Sequence, residues 1–240
     1  MEPIQTEFNR GNFQPVECVK EAWALIKDRY WLFFGITAVG VLIGSLFAII
    51  LMGPMLCGIY FCLFRRMRGE QVEFGDLFRG FDYFGQSVIA TLLQAVPILV
   101  IAVPFYLFMM FQIVSTAAAG SSGAESGAAF GLFTATMGLF ILVMIVLAVA
   151  VTVLCMFVYP LIVDKKLSGV DALRTSITAA WANLGSLIVV ALINVALSIV
   201  GVLLCYVGAF FVLPITLTTQ AVVYRKLFPL TPGTAPPPIA

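Results

Sequence analysis

The sequence predicts an all-α polytopic membrane protein. Six transmembrane helices form three hairpin repeats, each preceded by an amphipathic helix at the cytoplasmic interface. Three observations lead there. First, 62% of the 240 residues are hydrophobic and only 10% are charged, with a mean hydropathy of +1.08. Ordinary globular domains carry about 25% charged residues, so this supply of charge cannot cover a water-facing surface. Second, uncharged apolar runs recur at the length of about 20 residues that a bilayer crossing requires. Short alternating strands of the β-barrel kind are not seen. Third, the 13 basic residues fall in four places: before Trp31, in Arg65 to Arg79, in Lys165 to Arg174, and at Arg225-Lys226.

The elements follow in order. Met1 to Arg10 is polar, and the first long apolar run begins near Trp31, beyond the h-region of a secretory signal. Neither end carries a lipidation motif. Val16, Val19, Trp23, Ile26 and Tyr30 recur at helical spacing, with Glu17, Lys20, Glu21, Lys27 and Asp28 expected on the other face and Pro15 suited to the first turn. This amphipathic helix runs into a crossing, Trp31 to Met52, with Trp23, Tyr30 and Trp31 as an aromatic belt. Gly53-Pro54 is expected to break the helix. Pro54 to Arg68 then reads as a full crossing whose arginines snorkel to the surface, or as a re-entrant segment.

Phe74 to Phe84 (FGDLFRGFDYF) reads as a second amphipathic helix, with Phe74, Leu77, Phe78, Phe81 and Phe84 on one stripe and Asp76, Arg79 and Asp82 off it. Ser87 to Val114, containing Pro97 and Pro104, is the next apolar run. The small, polar stretch Ser115 to Ala129 reads as an exposed loop. Phe130 to Val163 is longer than one crossing needs and implies tilt or an extension. Ser168 to Asp171 has the S-x-x-D form of a capping box. It opens a third stripe, Val170, Leu173, Ile177, Trp181 and Leu184. Leu187 to Cys205 and Gly208 to Tyr224, the latter with Pro214, supply the last two crossings. The Pro-rich residues 231–240 read as a flexible tail.

Basic clusters mark the cytoplasmic side. Both termini are therefore expected inside, which requires an even number of crossings, and six satisfies it. The expected organisation is one transmembrane domain, 1–230, with repeats at about 14–68, 72–166 and 168–226. Each repeat has a returning proline (Pro54, Pro160 or Pro214) and a closing basic pair (Arg65-Arg66, Lys165-Lys166 or Arg225-Lys226).

Chemistry is sparse. The chain has no histidine, which removes Ser-His triads and histidine-ligated metals. No Walker, HExxH or CxxC motif appears. The five cysteines are odd in number and lack paired spacing. A net charge of +1 gives no reason to expect a nucleic-acid partner. Catalytic residues, metals and cofactors are therefore not expected. Glu70, Glu73, Asp76, Asp82, Asp164 and Asp171 read as the solvated faces of boundary helices, or as carboxylates beside a headgroup-bound divalent ion. Arg65, Arg66, Arg68 and Arg79 form a basic collar, suited to anionic lipid headgroups or to setting topology alone. Trp23, Trp31, Phe74, Phe78, Phe81 and Trp181 are the expected interfacial anchors. Thr216, Thr218, Thr219 and Gln220, just after Pro214, could line a pathway or bridge helices.

The W-x-x-x-K-D-x-Y entry (Trp23 to Tyr30), the Gly-Pro-x-x-x-Gly segment (Gly53 to Gly58), the F-x-D-L-F-x-G-F block (Phe74 to Phe81) and D-K-K-x-S-G-x-x-A-L (Asp164 to Leu173) carry a resemblance. Together they resemble a broad group of bacterial six-helix membrane proteins, itself similar to the membrane domain fused to some glycerophosphodiester phosphodiesterases. The resemblance implies a multi-pass protein of the bacterial inner membrane. No phosphodiesterase domain accompanies it in this sequence, so that activity is not implied. The expectation is a non-catalytic accessory or membrane-organising protein, contacting lipid and either another membrane protein or further copies of itself. A channel or facilitator for a neutral or lipid-like substrate is the alternative, and a lipid-headgroup enzyme a more distant third.

Overall fold

The computed structural model describes residues 14–46, 50–118, 123–203 and 207–229. The polar Met1 to Arg10 and the expected tail at 231–240 lie outside them. Among the described residues every regular element is helical. The order is α1 (Pro15–Ile26), a short 3-10 turn (Lys27–Arg29), α2 (Tyr30–Leu46), α3 (Met52–Met67), a 3-10 segment (Phe74–Tyr83), α4 (Phe84–Ala118), α5 (Gly123–Leu154), α6 (Val158–Lys165), α7 (Gly169–Ala182), α8 (Leu184–Leu203) and α9 (Val207–Leu227).

Four stretches are long and apolar enough to cross a membrane: Pro15–Leu46, Phe74–Val114, Phe133–Lys165 and Leu184–Gly201. By length and composition this is a membrane protein. Helix α3, with 16 residues, is not among the four. At 1.5 Å per residue it spans about 24 Å, short of a hydrocarbon core about 30 Å thick.

The contacts divide the chain into two compact units: residues up to Leu92 together with those from Val153, and Leu93–Thr152. Within the first, α3 packs against α2, the Phe74–Tyr83 segment, α6 and α9, while α9 also packs against α1, α2 and α8. Tyr60, Phe64, Phe157, Tyr224 and Phe228 are buried together. Phe64 lies 5.5 Å from Tyr224 and Tyr224 5.0 Å from Phe228 between ring centroids. Offset aromatic pairs of this kind add to the energy of burial. In the second unit, Pro97 and Pro104 lie inside α4, and Leu99, Val100, Tyr106, Leu107 and Phe111 are exposed. Such outward apolar surface is what a lipid-facing hairpin presents.

Several local features differ from the sequence expectation. Gly53 and Pro54 do not end a helix. They sit in the first turn of α3, which Met55 N–H closes onto Leu51 C=O at 3.0 Å. The first turn needs no N–H from proline, so the ring costs nothing there. Pro160 sits likewise in the first turn of α6, whereas Pro214 lies inside α9. The apolar run Phe130 to Val163 is not one helix, because α5 ends at Leu154 and α6 begins at Val158. The buried Ser176 of α7 bridges this break. Its hydroxyl donates to Leu154 C=O at 2.7 Å and accepts from Phe157 N–H at 3.2 Å. Interrupted backbone inside a membrane protein requires such partners. The expected loop Ser115 to Ala129 is helical up to Ala118 and again from Gly123. Its alanines favour that state over the glycine and serine punctuation.

Candidate functional site

The Phe74–Tyr83 segment adopts a 3-10 helix of 10 residues, well beyond the usual run of about 3–4 residues. Three residues per turn sort its side chains into three faces. Leu77 and Gly80 are buried, Phe78, Phe81 and Phe84 are exposed, and Asp76, Arg79 and Asp82 form the third ridge. The expected single stripe is thus divided: Leu77 turns inward and the phenylalanines turn out. A glycine-to-glycine crossing explains why. A Cβ on Gly80 would strike Pro54 C=O and the backbone of Gly58, and a Cβ on Gly58 would strike Leu77 C=O. The segment therefore lies with its backbone directly on α3. At its start Glu73 and Asp76 cap one another's backbone, with Asp76 Oδ2 accepting from Glu73 N–H at 2.9 Å.

Helices α1 and α7 are built on the same plan. On α1 the buried positions are Cys18, Ala22, Leu25 and Ile26, while Val16 and Trp23 are 58% and 47% exposed. On α7 Gly169, Ala172, Ser176, Ala179 and Ala180 are buried, while Val170 and Trp181 are 40% and 63% exposed. The inner face of α7 is made of small residues and that of α1 is half small and half Leu25 and Ile26, while a tryptophan and a valine of each turn outward; small residues are how membrane helices approach one another closely. Ser168 caps α7 as its motif predicts, accepting from Asp171 N–H at 3.2 Å. Gly169 N–H donates to Gln86 Oε1 at 2.9 Å, which ties the start of α7 to the start of α4. All six expected anchors, Trp23, Trp31, Phe74, Phe78, Phe81 and Trp181, are exposed.

The four arginines of the expected collar all have partners within the chain. Arg65 donates to Asp76 Oδ1 at 2.7 Å and to Glu70 Oε2 at 2.9 Å. Arg68 pairs with the same Glu70 carboxylate. Arg66 donates to Leu25 C=O at 3.1 Å and lies 3.7 Å from Asp28. Arg79 stacks over the Phe61 ring at 5.0 Å. The hydrogen bond from Arg68, joined by that from Arg65, holds the Glu70 carboxyl below its ordinary pKa. Together these contacts fasten the end of α3 to the 3-10 segment and to α1.

Thr216 to Gln220 makes a similar set of internal contacts. Thr216, Thr218 and Thr219 donate to the carbonyls of Leu213, Pro214 and Ile215 in their own helix. Gln220 accepts from Tyr60 Oη at 2.6 Å. Near the Pro214 interruption, Phe211 C=O accepts from Tyr30 Oη at 2.6 Å. A side chain from a neighbouring helix thus serves a carbonyl within reach of the proline break.

One polar cluster was not anticipated as a unit. Asp164 Oδ2 accepts from Tyr224 Oη at 2.8 Å, and Arg225 Nη2 lies 2.8 Å from Asp164 Oδ1. The side chains of Asp164 and Arg225 are only 12% and 14% exposed. Arg225 Nη1 is buried without a hydrogen-bond acceptor among the described residues, and Nη2 meets Asp164 without hydrogen-bond alignment. The guanidinium instead stacks over Phe64 at 4.3 Å, an arrangement the aromatic quadrupole favours. The adjacency of Asp164 and Arg225 joins residues 61 positions apart, so sequence spacing carried no signal for it.

No protein-family model, curated protein or solved structure matches the chain.

Proposed function

We propose that this protein is a non-catalytic, multi-pass protein of a bacterial inner membrane that organises or assists a membrane assembly. In this reading six crossings form three hairpin repeats with both termini cytoplasmic. α3 and α9 complete the set of four long apolar stretches. The observation that carries the proposal is the shared outward placement of the bulkiest side chains of α1, the 3-10 segment and α7 (Trp23, Phe78, Phe81 and Trp181), over inner faces of small residues joined by Leu25, Ile26 and Leu77. These outward faces are for lipid, or for the apolar surface of a partner or second copy within the membrane. The resemblance of Trp23 to Tyr30, Gly53 to Gly58 and Phe74 to Phe81 to the bacterial six-helix group supports the same reading.

The channel reading requires polar groups free to meet a passing solute. The hydroxyls of Thr216, Thr218 and Thr219 are engaged within α9, and Gln220 is engaged by Tyr60. Purified protein in sealed liposomes should release small neutral solutes no faster than empty liposomes. Release well above that background would replace the organising role with facilitated transport.

A further inference from the structure

With the collar arginines engaged internally, exposed cations without an ion pair among the described residues remain at Lys20, Lys27, Arg29, Lys165, Lys166 and Arg174, and two of them stand out by their place beside an apolar stripe. Lys20 on α1 and Arg174 on α7 are exposed, and neither has an ion-pair partner among the described residues. At 100° per residue, Val16, Lys20 and Trp23 lie within about 60° of one another, as do Val170, Arg174, Ile177 and Trp181. Each helix thus carries a cation four residues after an exposed valine, on the border between its outward apolar face and the polar side that holds Glu17 or Asp171. A cation on the solvated face would be commonplace. A cation on the border of the apolar face is placed where that face meets the headgroup layer, with its stem along the grease and its charge at phosphate level.

We propose that Lys20 and Arg174 bind the phosphate groups of anionic bilayer lipids, making the outer faces of α1 and α7 two sites of the same design. The partner is the lipid surface itself, selected by charge complementarity between an unpaired cation and an anionic headgroup beside flanking acyl chains. This rests on the boundary-helix reading above and adds its ligand chemistry. The collar at Arg65, Arg66, Arg68 and Arg79 contributes little to lipid selection, because its cations are already engaged by Asp28, Glu70, Asp76 and the Phe61 ring.

The three tryptophans make a direct test. Full-length single-tryptophan variants, keeping Trp23, Trp31 or Trp181 with phenylalanine at the other two positions, are reconstituted with dibrominated phosphatidylcholine or dibrominated phosphatidylglycerol. Quenching then reports which lipid sits beside each ring. Trp23 and Trp181 should be quenched with a relative association constant favouring phosphatidylglycerol by about fivefold, the effect of one basic residue near an anionic surface. Lys20→Gln should remove the preference at Trp23 alone, and Arg174→Gln at Trp181 alone. Lys20→Arg and Arg174→Lys should restore it, and Arg65→Gln should leave both unchanged. An undiminished preference after Lys20→Gln and Arg174→Gln, with normal quenching by both lipids, would overturn this inference and leave the boundary reading intact. If brominated lipid of either kind quenched Trp31 but neither Trp23 nor Trp181, the boundary reading would fall and take the inference with it.

Discussion

Replacing Ser176 by alanine should loosen the junction between α5 and α6. The serine is fully buried, and its hydroxyl serves both Leu154 C=O and Phe157 N–H across the break. Alanine preserves the helix propensity of α7 and leaves two buried backbone groups without that partner. Measured hydrogen bonds between membrane helices average about 0.6 kcal/mol, so losing two costs at least about 1 kcal/mol. Buried groups left wholly unsatisfied cost about 1–3 kcal/mol each. Because the hydroxyl hole is too small for water to enter readily, we expect about 2–3 kcal/mol. Reversible unfolding in mixed micelles, followed by circular dichroism, measures the loss. Amide exchange at Phe157 should accelerate in parallel. Ser198→Ala provides the comparison, since that exposed hydroxyl bonds only to Asn194 C=O of its own helix and should change stability by less than about 0.5 kcal/mol. If Ser176→Ala unfolded within about 0.5 kcal/mol of wild type with unchanged exchange at Phe157, the bridging role would be refuted.

Other outcomes follow from the same structure. Gly80→Ala places a methyl against Pro54 C=O and the backbone of Gly58, so it should destabilise by about 1–3 kcal/mol or more, whereas Gly85→Ala, with open space around its Cβ, should be neutral or stabilising in the same micelle assay. Asp164→Asn removes the charge facing buried Arg225 and should cost about 3 kcal/mol; Asp164→Asn combined with Arg225→Met should recover much of that loss. For Glu70 the native pKa is lowered. Its contribution is therefore complete above the unfolded value of about 4.3 and lost as pH falls through the lower native value. Glu70→Gln should therefore slightly lower stability above about pH 4.3 and flatten the acid limb, so that variant and wild type converge as pH falls.

Much of this architecture is legible in the residues. Apolar runs without charge gave the helices, and Ser168 to Asp171 gave the start of α7 to the residue. Val16, Trp23, Val170 and Trp181 of the expected stripes on α1 and α7 do face outward, but Ile26 of the α1 stripe is fully buried, because it packs inward beside Leu25. Which side a stripe faces does not follow from periodicity alone. Cys18, Ala22, Ala172 and Ala179 face in, together with Leu25 and Ile26, while the tryptophans face out, so the small residues were the better signal for packing. The 3-10 form of Phe74–Tyr83 depends on the approach of Gly80 to Gly58, a contact between elements that local pattern cannot encode. The Ser176 bridge and the Asp164–Arg225 pair are tertiary in the same sense: each residue is ordinary alone and acquires its role from a partner brought close by folding. The collar arginines show the converse, since a run of positive charge looks free in sequence until Glu70, Asp76 and Asp28 are placed beside it.

The measurement closest to the central claim is carbene footprinting of the unmodified protein in bilayers, with an apolar diazirine dissolved in the lipid and sites assigned by mass spectrometry. Val16, Trp23, Phe78, Phe81, Val170 and Trp181 should be labelled, and Cys18, Ala22, Leu77, Ala172, Ser176 and Ala179 should be protected. Labelling of the small-residue faces, with protection of the aromatic and valine faces, would contradict the account.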